Sequence, residues 1–406
     1  VTFVNAPAAS RGTRFTGTGF TGTRGEMFRL AFKTALFTLL TLGLYRFWAK
    51  TRLRRYYWSA VQPCGVPLEY AGQGVEKLLG FLIAVVFLAF YIGIVNLVLM
   101  FASFALFQGN VTAYALSFIG ILPLYFFATY RARRYVLART RWRGIRFGLE
   151  AGAWRYAARA LMHWAITICT LGLLWPRMTF YLEKFRTDRT TFGSHRLCQT
   201  GRWQMLFPLW LNVILPVGIG AGLIWAMITR DLPASAAVLV VVMVLWMLWG
   251  MLHYKVQSKR LLANAKELRL QTGEAVGLIA KPRTGRVLGI YLGGYALIYM
   301  IFGAVFGVIG GMVFASGLTL DGWVTPQSGG IAQGLAVSLG AVLYFGVFLF
   351  WISLTQVFVT LPLWRHYAQT LEITGVRALG GIHQAARDEA LEAGGFAEAL
   401  DLGAAI

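Results

Sequence analysis

Two stripes of cations are the residues best placed to do chemistry. Arg155, Arg159 and His163 recur every four residues, and Arg29 and Lys33 repeat that spacing nearer the N-terminus. Residues four apart share one face of a helix, so each set presents a row of positive charge. Beside a membrane such a row binds an anionic lipid headgroup or a small anionic solute, or it snorkels its charges to the interface. A second set is polar but uncharged: Asn96, Asn212 and Gln356 sit inside long apolar runs. Asn212 lies four residues from both Pro208 and Pro216, so all three share one face of a helix that proline kinks. Such residues either hydrogen-bond between helices, for roughly 0.6–2 kcal/mol each, or line a solute path. The nearest approach to a metal site is His195 with Cys198, and two ligands do not make a zinc centre. No HExxH, GxSxG or phosphate-cradling loop is present, so neither an enzyme nor a metal or other cofactor is expected.

Composition decides what must hold these residues. The 406 residues are 57% hydrophobic and 13% charged, whereas a soluble domain is about 25% charged. A helix needs ~20 apolar residues to cross a bilayer. Six stretches meet that need or come close: 78–107, 113–130, 204–228, 235–254, 287–316 and 331–361. The net charge of +22 invites a nucleic-acid reading, but 37 of the 38 Lys and Arg fall in alternate segments between spans. That is the positive-inside pattern of cytoplasmic loops, and no nucleic-acid partner follows from it. Three scattered cysteines offer no disulfide framework, and Val1–Thr23 lacks the core of a cleavable signal.

Two shorter apolar segments, 27–48 and 157–175, have basic clusters on both sides. Crossing the membrane would strand one cluster outside. Each is therefore expected to be a re-entrant or interfacial helix, with both chain termini on the cytoplasmic side of a bacterial inner membrane. The expected fold is an all-α polytopic membrane protein of six spans in three hairpins, two short re-entrant or interfacial helices and small cytoplasmic β-hairpins. Glycines crowd one span, where Gly289/Gly293 and Gly303/Gly307 let helices approach closely.

The chain repeats itself. Residues 47–56 align with 126–135, and Thr41-Leu42-Gly43-Leu44 returns as Thr170-Leu171-Gly172-Leu173. A cation, an aromatic residue and then a small residue ten positions after the cation recur as Arg55-Tyr56 with Gly65, Arg134-Tyr135 with Gly144, Lys184-Phe185 with Ser194, and Arg365-His366 with Gly375. A fifth copy after Tyr254 has broken spacing. These motifs predict helices that leave the membrane with aromatic and basic residues among the headgroups, followed by a tight turn. The organisation so read is a Gly/Thr-rich segment over 1–26, repeat units over 27–152 and 153–286, a third span pair with its hairpin over 287–380, and an acidic tail over 381–406.

Phe20-Thr21-Gly22-Thr23-Arg24-Gly25-Glu26-Met27-Phe28, followed by residues 38–50, resembles the YjgN family of bacterial inner-membrane proteins. The second Thr-Leu-Gly-Leu copy, with Leu174-Trp175-Pro176, and the turn Thr191-Phe192-Gly193 resemble it too. Arg46-Phe47 departs from it, standing where the family has an aromatic residue and Pro. The resemblance implies a location and an architecture but no reaction. It also implies a neighbouring gene for a membrane-tethered zinc metallopeptidase, and such an enzyme as a partner. The function expected is a non-catalytic membrane scaffold or accessory subunit, in contact with anionic lipids and open to homo-oligomer formation. The alternative is a channel or uncoupled transporter for a small anionic solute.

Overall fold

The structure, a computed structural model, describes residues 16–107, 112–230, 232–270, 275–315 and 330–384. One order of elements, strand–helix–helix–strand, runs through it five times. The first unit is β1 (Thr16–Phe20), α1 (Arg24–Leu40), α2 (Arg46–Ala60) and β2 (Val61–Pro63). The second is β3 (Leu68–Tyr70), α3 (Gly74–Phe107), α4 (Thr112–Ala138) and β4 (Thr140–Trp142), and the third β5 (Ile145–Leu149), α5 (Ala153–Cys169), α6 (Trp175–Thr187) and β6 (Thr190–Phe192). The fourth is β7 (His195–Gln199), α7 (Phe207–Ile228), α8 (Pro233–Asn264) and β8 (Lys266–Arg269). In the fifth, β9 (Ala275–Ala280) and α9 (Thr284–Ala315) precede α10 (Gly330–Thr355), a π-helical turn (Gln356–Thr360), α11 (Leu361–Gln369) and β10 (Leu371–Thr374).

The small separate hairpins expected from the sequence are instead one sheet. Its ten strands run β2-β1-β10-β9-β8-β7-β6-β5-β4-β3, every ladder antiparallel. The reason is physical: strands of three to six residues cannot stand as isolated hairpins, and each hairpin would expose two unpaired edges. Pairing of β1 with β10 ties the start of the fold to its end. The order begins and ends on β2 and β3, which the turn at 64–67 joins, so the sheet returns on itself. Arg143 and Gly144 between β4 and β5 have positive φ, as a type I′ hairpin requires, and Cys64 and Gly65 share that conformation in the turn between β2 and β3.

Each unit contributes one cross-strand pair at the same level: Thr18 with Pro63, Leu68 with Trp142, Phe147 with Phe192, Leu197 with Leu268, and Leu278 with Ile373. The four apolar pairs join a single cluster, which Leu379 and Ile382 complete. The 3₁₀ turn Val376–Gly381 carries Leu379. Burying side chains of this size stabilises by about 1.5–3 kcal/mol each. The ring of strands is thus filled rather than open. Beyond the 3₁₀ turn the chain reaches β5 and β6: the N–H of Ser194 donates to the carbonyl of His383 (3.0 Å), and that of Arg146 to Gln384 Oε1 (2.8 Å).

The helices close a ring as well. Between units α2 packs on α3, α4 on α5, α6 on α7, α8 on α9, and α10 back on α1. Among the described residues five helical stretches are long and apolar enough to cross a membrane: Gly74–Val95, Trp203–Ile228, Ala234–Asn264, Thr284–Val308 and Tyr344–Gln369. The sixth expected span, 113–130, runs over side chains that lie outside the described residues. Phe90, Trp225, Val238 and Leu292 are all exposed on these helices, as lipid-facing surface must be. The protein is a mostly helical membrane protein carrying a ten-stranded sheet.

The two short segments are also not single helices reaching Trp48 and Trp175. Each ends early, at Leu40 and at Cys169, and turns back as α2 or α6. The Thr-Leu-Gly-Leu sequence builds both turns alike. Gly43 N–H donates to the Thr38 carbonyl and Gly172 N–H to that of Thr167, with Leu42 and Leu171 bonded back to Leu39 and Ile168. This is the Schellman end of a helix. It requires positive φ at Leu42 (51°) and Gly43 (93°), and at Leu171 (49°) and Gly172 (83°).

Candidate functional site

The repeated cation–aromatic motif proves to be a clasp between units. Arg55 donates to the Gly72 carbonyl (2.9 Å), Lys184 to that of Gln199 (2.8 Å) and Arg365 to that of Gly22 (2.8 Å). In every case the acceptor belongs to the incoming strand of the next unit, or to the loop just after it. The third bond joins the fifth unit to the first. The aromatic member holds its own unit: Tyr56 accepts from the Thr23 N–H (2.8 Å), Tyr135 donates to Glu76 (2.9 Å), and His366 Nε2 accepts from the Arg283 N–H (3.2 Å). Phe185 is buried against Tyr130 and Tyr156, and Arg134 is half-buried. These side chains are engaged with protein, not spread among headgroups. The broken fifth copy is Arg260-Leu261, which stands six residues before β8 as the other cations stand six before their strands. Its aromatic member has been lost.

The residue before each motif cation points to the chemistry. Arg54, Arg133, Glu183, Lys259 and Trp364 each precede the following strand by seven residues, on the helix that leads out of each unit. Side chains link these five helices in a circle. Trp58 donates to Thr140 Oγ1 (3.0 Å), joining α2 to the start of β4 just beyond α4, and Arg133 on α4 meets Glu183 on α6 at 3.5 Å. Glu183 meets Lys266 after α8 at 2.6 Å, Lys259 on α8 lies 5.8 Å from the Tyr367 ring on α11, and Trp364 on α11 returns to Trp58 at 5.5 Å.

Glu183 anchors the ionic side of the circle. Lys266 contacts its Oε1, and Arg186 its Oε2 at 2.7 Å. Burial by itself raises a carboxyl pKa. Here Lys266, Arg133 and Arg186 outweigh burial and hold Glu183 well below the usual carboxylate range. The pKa of Arg133 is lowered as well, because desolvation of its guanidinium outweighs the attraction of Glu183. None of these five residues stood out in the sequence. The signal was present as the Arg54–Arg133 match inside the aligned decapeptides, one position before the motif.

The stripes singled out by spacing divide. Arg29 and Arg155 are exposed, and Lys33 lies over Phe37 at 6.0 Å. Arg159 sits 4.9 Å from the Phe185 ring, opposite Arg189 at 3.7 Å. His163 departs from its row: it is buried, stacked on Tyr181 (5.4 Å) and 3.4 Å from Arg177. Burial, then Arg177 and Arg159, lowers its pKa. Among the uncharged candidates, Gln356 accepts from the Tyr57 hydroxyl (2.9 Å) and opens the π-helical turn. Asn212 is exposed, and its carbonyl accepts from Trp246. The side chain of Asn96 lies outside the described residues. Residues Gly289 and Gly293 do not pack within the described residues. It is Gly294 that meets α10's continuation, where an added Cβ would stand 2.7 Å from the Phe358 carbonyl.

No group of three or more His, Cys, Asp or Glu among the described residues is arranged to hold a metal ion. Neither the curated proteins nor the solved structures contain a match to this chain. One family pattern does match, over residues 16–399, so that all five units fall within it. The chain therefore belongs to the family described as bacterial protein of unknown function, DUF898.

Proposed function

We propose that this protein is a non-catalytic scaffold or accessory subunit of the bacterial inner membrane, docking a partner helix on α9. The observation that carries this reading is an open face. An added Cβ at Gly285, Gly289 or Gly293 meets nothing within 4 Å among the described residues. Their four-residue spacing puts them on one side of the helix, flanked by exposed Leu292 and Tyr299. Small residues in this array allow close backbone approach by another transmembrane helix. The partner is a membrane protein, with the tethered metallopeptidase implied by the family resemblance as one candidate and a second copy of this chain as the other. Purification from native membranes in mild detergent, followed by mass spectrometry, tests it. A stoichiometric protein partner is expected, and it is lost when Gly289 and Gly293 are both changed to Leu. A chain that purifies alone, as a monomer, overturns the reading.

The same reading places the sheet and both termini on the cytoplasmic side, with the α1–α2 and α5–α6 pairs as re-entrant hairpins. What supports this is the state of the two tips. Leu42 and Leu171 are each 95% exposed, yet backbone groups of the turns are bonded internally. Thr41 and Thr170 hydroxyls donate to the Phe37 and Ile166 carbonyls and accept from the N–H groups of Tyr45 and Leu174. Internal satisfaction of the backbone with leucine outward is what hydrocarbon demands and water does not. Cys64, in the β2–β3 turn, is then shielded from a membrane-impermeant thiol reagent added outside intact cells. Labelling there sinks the topology. We also read the five units as internal repeats of one strand–helix–helix–strand ancestor, on the strength of the shared motif positions. A second functional reading, a channel or uncoupled transporter for a small anionic solute, draws on the cations of the inner circle. The filled sheet ring weighs against it.

A further inference from the structure

We propose that the inner circle of outgoing helices binds a phosphate group, with Arg133 and Lys259 as its direct contacts and Glu183 as the built-in counter-charge that positions them. This does not rest on the scaffold reading, since it concerns the interior of the ring rather than the outer face of α9.

Charge imbalance is the first argument. Lys266, Arg186 and Arg133 surround one carboxylate, and Lys259 stands within its electrostatic reach. Four cations thus share a single negative charge. Like charges gathered around one carboxylate repel one another unless a further anion compensates them.

Geometry says which of the four are available. Lys266 and Arg186 occupy one oxygen each of Glu183, at 2.6 and 2.7 Å. Arg133 is left at 3.5 Å, at the limit of a contact, with most of its five donors unspent. No described carboxylate lies within 4 Å of Lys259, whose nearest aromatic partner is the Tyr367 ring. Both available cations are also reachable. Arg133 keeps 32% of its side chain accessible and Lys259 is exposed.

Ligand class follows from the donors. An arginine fork with a lysine point charge is the pair that recognises a phosphate group, one by geometry and the other by charge. The group arrives on a free phosphate or phosphomonoester, or on the headgroup of an anionic lipid entering between helices.

The test uses the full chain purified in detergent, titrated with inorganic phosphate by calorimetry at low ionic strength. Saturable binding is expected, weakened at least tenfold in Lys259→Gln and in Arg133→Gln, and retained in Lys259→Arg. Arg269→Gln, which removes as much charge at an exposed position outside the circle, leaves it unchanged. Lys259 is exposed, so its variant folds even if Arg133→Gln does not. In the second arm, native mass spectrometry follows retained phosphatidylglycerol. Lipid lost selectively from Lys259→Gln, with no binding of inorganic phosphate, assigns the site to a headgroup. The proposal is overturned if phosphate fails to bind and lipid retention is the same in all variants. It is equally overturned if phosphate binds with undiminished affinity to both Lys259→Gln and Arg133→Gln.

Discussion

The two short helical hairpins share a backbone but not an interior. In α1–α2 and α5–α6 the helices entering the turn both have 17 residues, and the turns match bond for bond. Inside, Arg54, Arg55, Tyr56 and Tyr57 of the first correspond to Glu183, Lys184, Phe185 and Arg186 of the second. The first hairpin closes on aromatic contacts: Tyr57 stacks on Trp364 at 5.0 Å and bonds Gln356, and Arg54 lies 5.2 Å from the Tyr70 ring. The second closes on ions around Glu183. Threonine and glycine therefore fix the turn, while the neighbouring units decide which chemistry fills the space below it.

Breaking the ionic interior should produce the largest contrast. Glu183→Gln leaves three cations without their carboxylate and is expected to cost about 3–5 kcal/mol, measured by thermal unfolding in detergent. A loss below ~1 kcal/mol would show that the cluster is solvent-screened like a surface pair. Next come the turns. Gly43→Ala and Gly172→Ala each force a Cβ into positive φ where space is otherwise open, costing about 1–2 kcal/mol. The two losses should agree closely, and a large difference would break the equivalence of the hairpins. Smaller again is Tyr57→Phe, which removes one hydrogen bond to Gln356 and should cost about 1 kcal/mol, with no matching effect of Tyr181→Phe in the second hairpin.

The smallest effect is a pH dependence confined to the second hairpin, since Thr34 stands where His163 does. His163 has a folded pKa below its unfolded value near 6.5. The unfolded chain therefore takes up a proton first as pH falls, and stability declines below about pH 6.5 until the folded pKa is reached. His163→Gln should flatten that part of the unfolding profile. Glu183, by contrast, keeps its charge throughout this range because its folded pKa is far lower.

Much of the helical layer was legible in the residues. Long apolar runs announce spans, and basic clusters on both sides of 27–48 and 157–175 announce segments of another kind. The break inside each was written in Gly43 and Gly172, although a continuous apolar run concealed it. The sheet was not legible as a sheet. Strands such as Val61–Pro63 and Thr140–Trp142 are too short to show a period of two, and nothing local tells a hairpin which hairpin lies beside it. The motif cations looked like interfacial anchors because sequence shows a charge and not its acceptor. Their carbonyls at Gly72, Gln199 and Gly22 lie 15 to 343 residues away along the chain.

By itself the sequence determined that this is a membrane protein and where its long apolar helices run. Those properties depend on transfer to lipid and on local backbone sterics, which act over one helix or one turn. Only the tertiary structure decided that five units close into a ring, that β1 meets β10, and that Glu183 gathers cations from three units. Each of those depends on pairing or Coulomb contact between segments far apart in the chain, which no local pattern encodes.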